Sequence, residues 1–347
     1  MHAYDALLFV SFGGPERPED VMPFLENVTR GRNVPKERLL SVAEHYDHFG
    51  GKSPINEQNR ALIAALAQDF RAHGIDLPIY FGNRNWSPFL KDALEQMKAD
   101  GRQRALAFIT SAYSSYSGCR QYLEDIERAR ARLDAAPSVE ALRRFFNHPA
   151  FIDAQVDRVQ TAWQELGLAL GAARSSARIV FTAHSIPSSM AQQCDYERQL
   201  RANSALIAER VSHPDWDLVW QSRSGPPEVP WLEPDILEHL RALHARGVAG
   251  VLIAPIGFLT DHVEVLYDLD EEARGLCQQL GLPMRRAATV GTHPRFVEMI
   301  RLLVLERLRG APLLGVGPLP TLPAACAATC CPRPERPARP PGDNGAR

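Results

Sequence analysis

Short apolar runs alternate with longer amphipathic stretches along this chain, and the alternation occurs twice. The runs DALLFVSF (5–12), LPIYFGNRN (77–85) and RALAFITSAYSS (104–115) make the first set. ARIVFTAHS (177–185), DLVWQSRSG (217–225) and GVLIAPIGFLTD (250–261) make the second. Between them lie helical patterns such as 59–74, 88–101 and 233–247, and a final one covers 294–310. Parallel neighbours need a crossover between them, so strand–helix–strand alternation predicts an open, mostly parallel α/β sheet. Two copies predict two doubly wound domains facing each other across a cleft, over residues 1–150 and 151–311. Nine of the chain's 27 prolines crowd into 312–341, so 312–347 is expected to be a tail with little regular structure.

In open parallel sheets ligands sit beyond the carboxyl ends of the strands. That rule gathers Phe12, Asn85, Tyr113, His184, Ser222 and Asp261 around one crevice. A formal net charge of -2 over 347 residues gives no general attraction to nucleic acid or anionic lipid. The most apolar stretch, GVAGVLIAPIGFL (247–259), is too short and too interrupted to span a bilayer. MHAYDALLFVSF reads as a first strand and not as a signal peptide, so the chain is expected in the cytoplasm with its six cysteines reduced, metal-bound or inert.

Three segments carry chemistry. TAHSIP (182–187) brings His184 to a strand end, where it is either a satisfied structural histidine or a proton acceptor and metal ligand. GFLTDHVEVLYDLDEEA (257–273) opens an acidic helix directly after a strand, with Asp261 at the N-cap position. Glu264, Asp268 and Glu272 recur at four-residue steps and make one stripe, either a solvated acidic face or a path for a cation. Arg30, Arg32, Tyr46, Lys52 and Ser53 lie in VTRGRNVP and HYDHFGGKSPI, where they are donors for carboxylate or phosphate groups, or simply a polar loop. Gly13-Gly14 follows a strand, but neither GxGxxG nor GxxxxGK[ST] is present, which argues against a nucleotide-binding oxidoreductase.

SFGGPE, FLENVTRGR, FGGKSPIN, SAYSSYSGCRQY, TAHSIP, WQSRSGPPEVPWLEPD and PIGFLTDHVEVLYDLDEE together resemble ferrochelatase, more narrowly its actinobacterial form, from about residue 4 to 310. The resemblance implies two Rossmann-like domains around a porphyrin cleft and a lyase-class enzyme of haem biosynthesis. It would insert Fe²⁺, its substrate, into the ring and release two protons. His184 falls on the family's active-site histidine and Glu264 on its paired glutamate, while Asp268 and Glu272 match an acidic ridge that conducts metal. The metal-contacting set is thus His184, Glu264, Asp268 and Glu272. Phe12, Arg30, Arg32, Tyr46, Ser53, Tyr116 and Ser222 are the expected ring and propionate contacts. Whether His184 acts as base or as metal ligand stays open.

Two positions depart from the pattern. Many Gram-positive relatives carry a metal-ligating tyrosine where this chain has Phe12. CAATCCPRP resembles the tail of members that hold a [2Fe–2S] cluster, which needs four ligands. Cys326, Cys330 and Cys331 supply three, and Cys119 completes the set only if the tail folds back onto the first domain. Actinobacterial members take coproporphyrin III. Protoporphyrin IX is the alternative ring, and a porphyrin or haem carrier without turnover the alternative function. A cobalt or nickel chelatase would bring more histidines to the site than His184 and His262. A monomer, with other haem-pathway enzymes as its partners, is the expected assembly.

Overall fold

A computed structural model describes residues 4–31, 34–327 and 329–334. Its first half runs β1 (Ala6–Ser11), α1 (Val21–Val28), α2 (Lys36–His48), α3 (Ile55–Ala72), β2 (Ile79–Asn83), α4 (Leu90–Ala99) and β3 (Arg104–Ile109). A π-helical turn, Tyr116–Arg120, leads into α5 (Gln121–Arg130), followed by β4 (Ser138–Ala141) and α6 (Pro149–Leu170). The second half continues with β5 (Ala177–His184), α7 (Ser188–Ala191), α8 (Tyr196–Arg210), β6 (Trp216–Gln221), α9 (Ile236–Ala245) and β7 (Gly250–Ala254). After α10 (Val263–Val265) comes a second π-helix, Leu266–Ala273, and then α11 (Arg274–Leu280), β8 (Met284–Arg286) and α12 (Pro294–Arg309).

The strands form two four-stranded sheets, ordered β2-β1-β3-β4 and β6-β5-β7-β8. All pairings are parallel, and the second order is the first shifted by four strands, as the duplicated pattern predicts. Each sheet gains one edge strand, β4 or β8, beyond the three expected.

Period-two alternation decides which residue faces which core. Leu7 and Phe9 of β1 enter a cluster that also takes Ile179 and Phe181 of β5 and Leu252 of β7. Ala6, Leu8 and Val10 face the other way, under α4 and α5, and Val180, Val251 and Ile253 pack under α9 and the second π-helix. Between the sheets, α3, α6, α8 and α12 fill one interior with Leu62, Phe70, Phe151, Leu166, Leu200, Phe296 and Leu303. Each such side chain contributes about 1.5–3 kcal/mol by leaving water. The two halves therefore share an interior. Polar groups stitch them as well: the Tyr113 hydroxyl donates to the Ile256 carbonyl at 3.1 Å, and the Ser114 amide to Gln199 at 2.8 Å.

In its described part, 312–327 and 329–334, the tail lacks regular structure, as composition predicts, yet it is anchored. Arg143 donates to the Leu314 carbonyl at 2.8 Å and Asn147 to that of Leu319 at 2.9 Å. Arg120 reaches the carbonyls of Ala327 at 2.8 Å and Cys330 at 3.0 Å. The chain is thus folded back over the first half.

His148 caps α6, its Nδ1 accepting from the Ala150 amide at 3.2 Å in full burial. Burial, and then the Arg143 charge, lowers its pKa to about 3. A histidine depressed in the fold stabilises above its unfolded pKa near 6.5 and loses that stability as pH falls toward 3. Replacing it with Asn keeps a capping oxygen and removes the titration. Denaturant melts between pH 7 and 4 should show His148→Asn with an acid limb shallower by up to about 1.4 kcal/mol per pH unit than wild type. Identical slopes would mean the ring is already charged in the fold.

Candidate active site

His184 is the last residue of β5, and its ring geometry fixes its chemistry. Nδ1 faces the Ser185 carbonyl, which can only accept, so Nδ1 carries the proton and Nε2 keeps a lone pair. The Tyr196 hydroxyl donates to the His184 main-chain carbonyl at 3.0 Å and holds the strand end in place. Nε2 lies 3.8 Å from Oε2 of Glu264.

Glu264 comes from the far side of the β7 loop, and a glycine makes that approach feasible. A Cβ on Gly257 would fall 2.5 Å from the Ala183 Cβ and 2.7 Å from its Cα, so only glycine lets the loop lie on the end of β5. The same carboxylate oxygen is 3.9 Å from Nδ1 of His262, whose basicity is lowered by burial against the opposing charge of Glu264. One carboxylate therefore faces two imidazoles. Sequence reasoning placed His262 nearby but gave it no role; its signal is the position two residues before Glu264.

Asp261 is a correction. His262, not Asp261, is the N-cap residue, and the Asp261 carboxylate turns away from the cleft to Arg286 at 3.2 Å and 3.4 Å. Arg286, on edge strand β8, also holds Asp270 at 2.8 Å. A buried guanidinium attracts these carboxylates more strongly than an exposed helix end does. The clamp ties the loop and the π-helix together on the face opposite the acidic stripe.

The stripe itself is π-helical from Leu266 to Ala273. A π turn holds more residues than the 3.6 of an α turn, which brings positions four apart closer to one line. Asp268 accepts from Gln221 at 3.2 Å and from the Ser222 hydroxyl. Burial, and beyond it the charge of Glu264, raises the Asp268 pKa to about 7. Burial and then the Asp235 charge raise that of Glu272.

The opposite wall is apolar. Phe12, 38% exposed, follows β1 edge-on to Phe24 at 6.3 Å and offers no ligand atom. Phe24, Tyr46, Val21 and Leu25 of α1 and α2 form a small separate core with Val263. Burial, and then the Glu264 charge, pushes the Tyr46 phenol far above its usual range. The α2 helix reaches across the cleft: His45 stacks on Tyr267 at 3.7 Å, and Nε2 of His48 lies 3.2 Å from Glu271. Arg30 is exposed after α1, and Arg32 lies outside the described residues.

Three expected ring contacts have their polar groups engaged elsewhere. Ser53 is buried beneath Gly14, its amide donating to the Pro15 carbonyl at 2.8 Å and its hydroxyl accepting from the Ile55 amide at 3.5 Å. The Ser222 hydroxyl is committed to Asp268. That of Tyr116 donates to Glu124 at 3.0 Å and accepts from Arg333 of the tail at 2.7 Å.

A second polar cluster lies where the tail meets the first half. Cys119, Cys326, Cys330 and Cys331 line one cavity of about 370 Å³ with Arg120 and Arg144. The Cys330 and Cys331 sulfurs are 3.6 Å apart, and Arg144 Nε donates to the Cys119 sulfur at 2.8 Å. A hydrogen bond from the Cys331 thiol is the largest influence lowering the Cys119 pKa to about 5, and the Arg144 charge adds to it. Among the described residues no three His, Cys, Asp or Glu side chains are grouped so as to hold a metal ion. Nor is any helix among them long and apolar enough to cross a membrane.

Two parallel sheets of matching order give the two-domain chelatase fold, and at the strand ends of the second sheet a histidine and a carboxylate meet. The fold agrees with that of the sirohydrochlorin chelatase SirB from Bacillus subtilis subspecies spizizenii in complex with cobalt, at TM-score 0.51 and 14% identity over 88% of this chain and 96% of that one. The ferrochelatase family model matches residues 4–308, and the chain belongs to that family. It is 57% identical to a ferrochelatase of Rhodopirellula baltica, over 94% of this chain and 93% of the relative. It is 52% identical to a coproporphyrin III ferrochelatase of Streptomyces coelicolor, over 96% and 95% of the two chains. The corresponding protein of Nocardia farcinica is 50% identical, over 97% and 99%. The substrates are therefore Fe²⁺ and a porphyrin.

Proposed function

We propose that this ferrochelatase inserts Fe²⁺ into coproporphyrin III, a ring with four carboxylates. The observation that carries the catalytic assignment is the 3.8 Å approach of His184 Nε2 to Glu264 Oε2, with the acidic π-helix behind it. Insertion breaks two pyrrole N–H bonds as iron–nitrogen bonds form. The Nε2 lone pair of His184 accepts the two protons in turn, the first passing on before the second leaves the ring, and the Glu264 charge stabilises the imidazolium formed each time. His262, 3.9 Å from the same carboxylate, is an onward acceptor. Asp268 and Glu272 feed the metal. A carboxyl with a pKa near 7 is partly neutral at working pH, so it binds the ion weakly and lets it pass. Phe12 packs against the ring and leaves ligation to the histidine side. Arg30, Arg32 and Tyr46 are the expected donors left for propionates. The setting this reading implies is a cytoplasmic monomer beside other enzymes of haem formation.

The choice of ring is supported by the names of the Streptomyces and Nocardia relatives. The Rhodopirellula relative is named simply ferrochelatase, which keeps protoporphyrin IX as the second reading. Anaerobic Fe²⁺ insertion with the two rings side by side tests it: coproporphyrin III should turn over faster. Faster turnover of protoporphyrin IX would reverse the assignment, and tight binding without turnover would make the protein a carrier.

We also propose that Cys119, Cys326, Cys330 and Cys331 hold a [2Fe–2S] cluster, which takes four thiolates. What supports this is the folded-back tail, which brings Cys119 to the tail cysteines around one cavity. When bound, the cluster supplies a one-electron couple. The visible spectrum before substrate is added, with iron and acid-labile sulfide counts, tests its presence.

A further inference from the structure

Arg144 is 7% exposed, and a buried guanidinium is costly unless an anion compensates it. Its neighbour Arg143 meets that demand conventionally, with two hydrogen bonds to Glu306 at 2.8 Å and 2.9 Å. Arg144 does not. Its Nε donates to the Cys119 sulfur at 2.8 Å and its NH1 to the Ser111 carbonyl at 3.2 Å. Among the described residues no carboxylate pairs with it. Glu140, which also lines the cavity, is taken by Arg104 and Arg307, so the group Arg144 bonds that can carry balancing negative charge is the Cys119 sulfur.

The surroundings aim that sulfur at the cavity. Cys119 sits in the π-helical turn Tyr116–Arg120, whose first residue is held by Glu124 and Arg333 and whose last pins the carbonyls of Ala327 and Cys330. Cys119 and Arg144 both line the cavity with the tail cysteines. Arg144 thus lines the cavity beside the one thiol that the first half contributes.

We propose that Arg144 is a positioning residue for the thiol site: its hydrogen bond orients Cys119 as ligand and raises the reduction potential of the centre bound there. This rests on the cluster reading above. Reduction adds negative charge to a centre already bonded to thiolates. A cation donating to a ligating sulfur stabilises the reduced form more than the oxidised one. Methionine has no donor or charge. Lysine keeps the charge but lacks the fork that bonds sulfur and carbonyl together.

The test is a redox titration of the full-length protein with its cluster, followed by visible circular dichroism, with iron and sulfide counted for each sample. Arg144→Met should shift the reduction equilibrium at least tenfold toward the oxidised form, about 59 mV for one electron, and Arg144→Lys should lie between it and wild type. A fully loaded Arg144→Met with the wild-type potential overturns the proposal while leaving the cluster standing. Wild-type protein without iron and sulfide overturns the cluster reading and the role of Arg144 with it. If Arg144→Met does not retain the cluster, Arg144→Lys decides: a lowered potential supports the role, and an unchanged one overturns it.

Discussion

His184→Ala lowers the rate of Fe²⁺ insertion by roughly 10²- to 10⁴-fold, the span of a positioned general base, and leaves the fold intact. The size follows from the tautomer: Nδ1–H is spent on the Ser185 carbonyl, so Nε2 is the atom left for a pyrrole proton or for iron. His262 does not replace it, because burial lowers its basicity. The fold persists because the contact that anchors this strand end, the Tyr196 hydroxyl, is made to the main-chain carbonyl and not to the ring. Anaerobic stopped-flow insertion and a thermal melt measure the two halves of the prediction. A rate within threefold of wild type would remove His184 from the mechanism.

Glu264→Gln keeps the shape of the side chain and deletes its charge, and insertion should fall by about 10²-fold or more. The loss has two sources. The imidazolium formed on His184 is left without its counter-charge at 3.8 Å, and the acidic stripe loses the member closest to the reacting nitrogens. Porphyrin affinity should be unchanged, since neither source involves a propionate. The same substitution should lower the Asp268 pKa from its value near 7, because the Glu264 charge is one of the influences that raise it. Fluorescence titration of porphyrin, insertion rates across Fe²⁺ concentrations and a pH profile separate these effects. Unchanged insertion at saturating and at low iron would reduce the stripe to a solvated surface.

The six long strands and the meeting of His184 with Glu264 were legible because apolar runs mark buried strands and topology rules say where their ends go. The edge strands were not: β4 reads SVEA and β8 reads MRR, and hydrogen bonds from one neighbour rather than their own apolar content make them strands. Asp261 was misjudged as a cap because its partner, Arg286, lies 25 residues away in sequence and only the folded chain brings it close. Ser222 has a positive φ of 61°, a turn conformation that redirects its hydroxyl to Asp268, and nothing in WQSRSG announces it. Tyr116 and Cys119 depended on the tail, whose path is set by arginine-to-carbonyl bonds that leave no pattern in composition.

The interior common to both sheets bears on how a rigid, flat ring gets in and out. With α3, α6, α8 and α12 knitted into one mass, opening the two halves like a hinged shell would break a shared core. Compliance is left to the α1–α2 jaw, which has its own small core and rests on the far side through His45 and His48. Those two histidines lean on the helix that bears the acidic stripe. The wall built from α1 and α2 and the helix that bears the acidic stripe are therefore mechanically coupled, so a displacement of one is passed to the other.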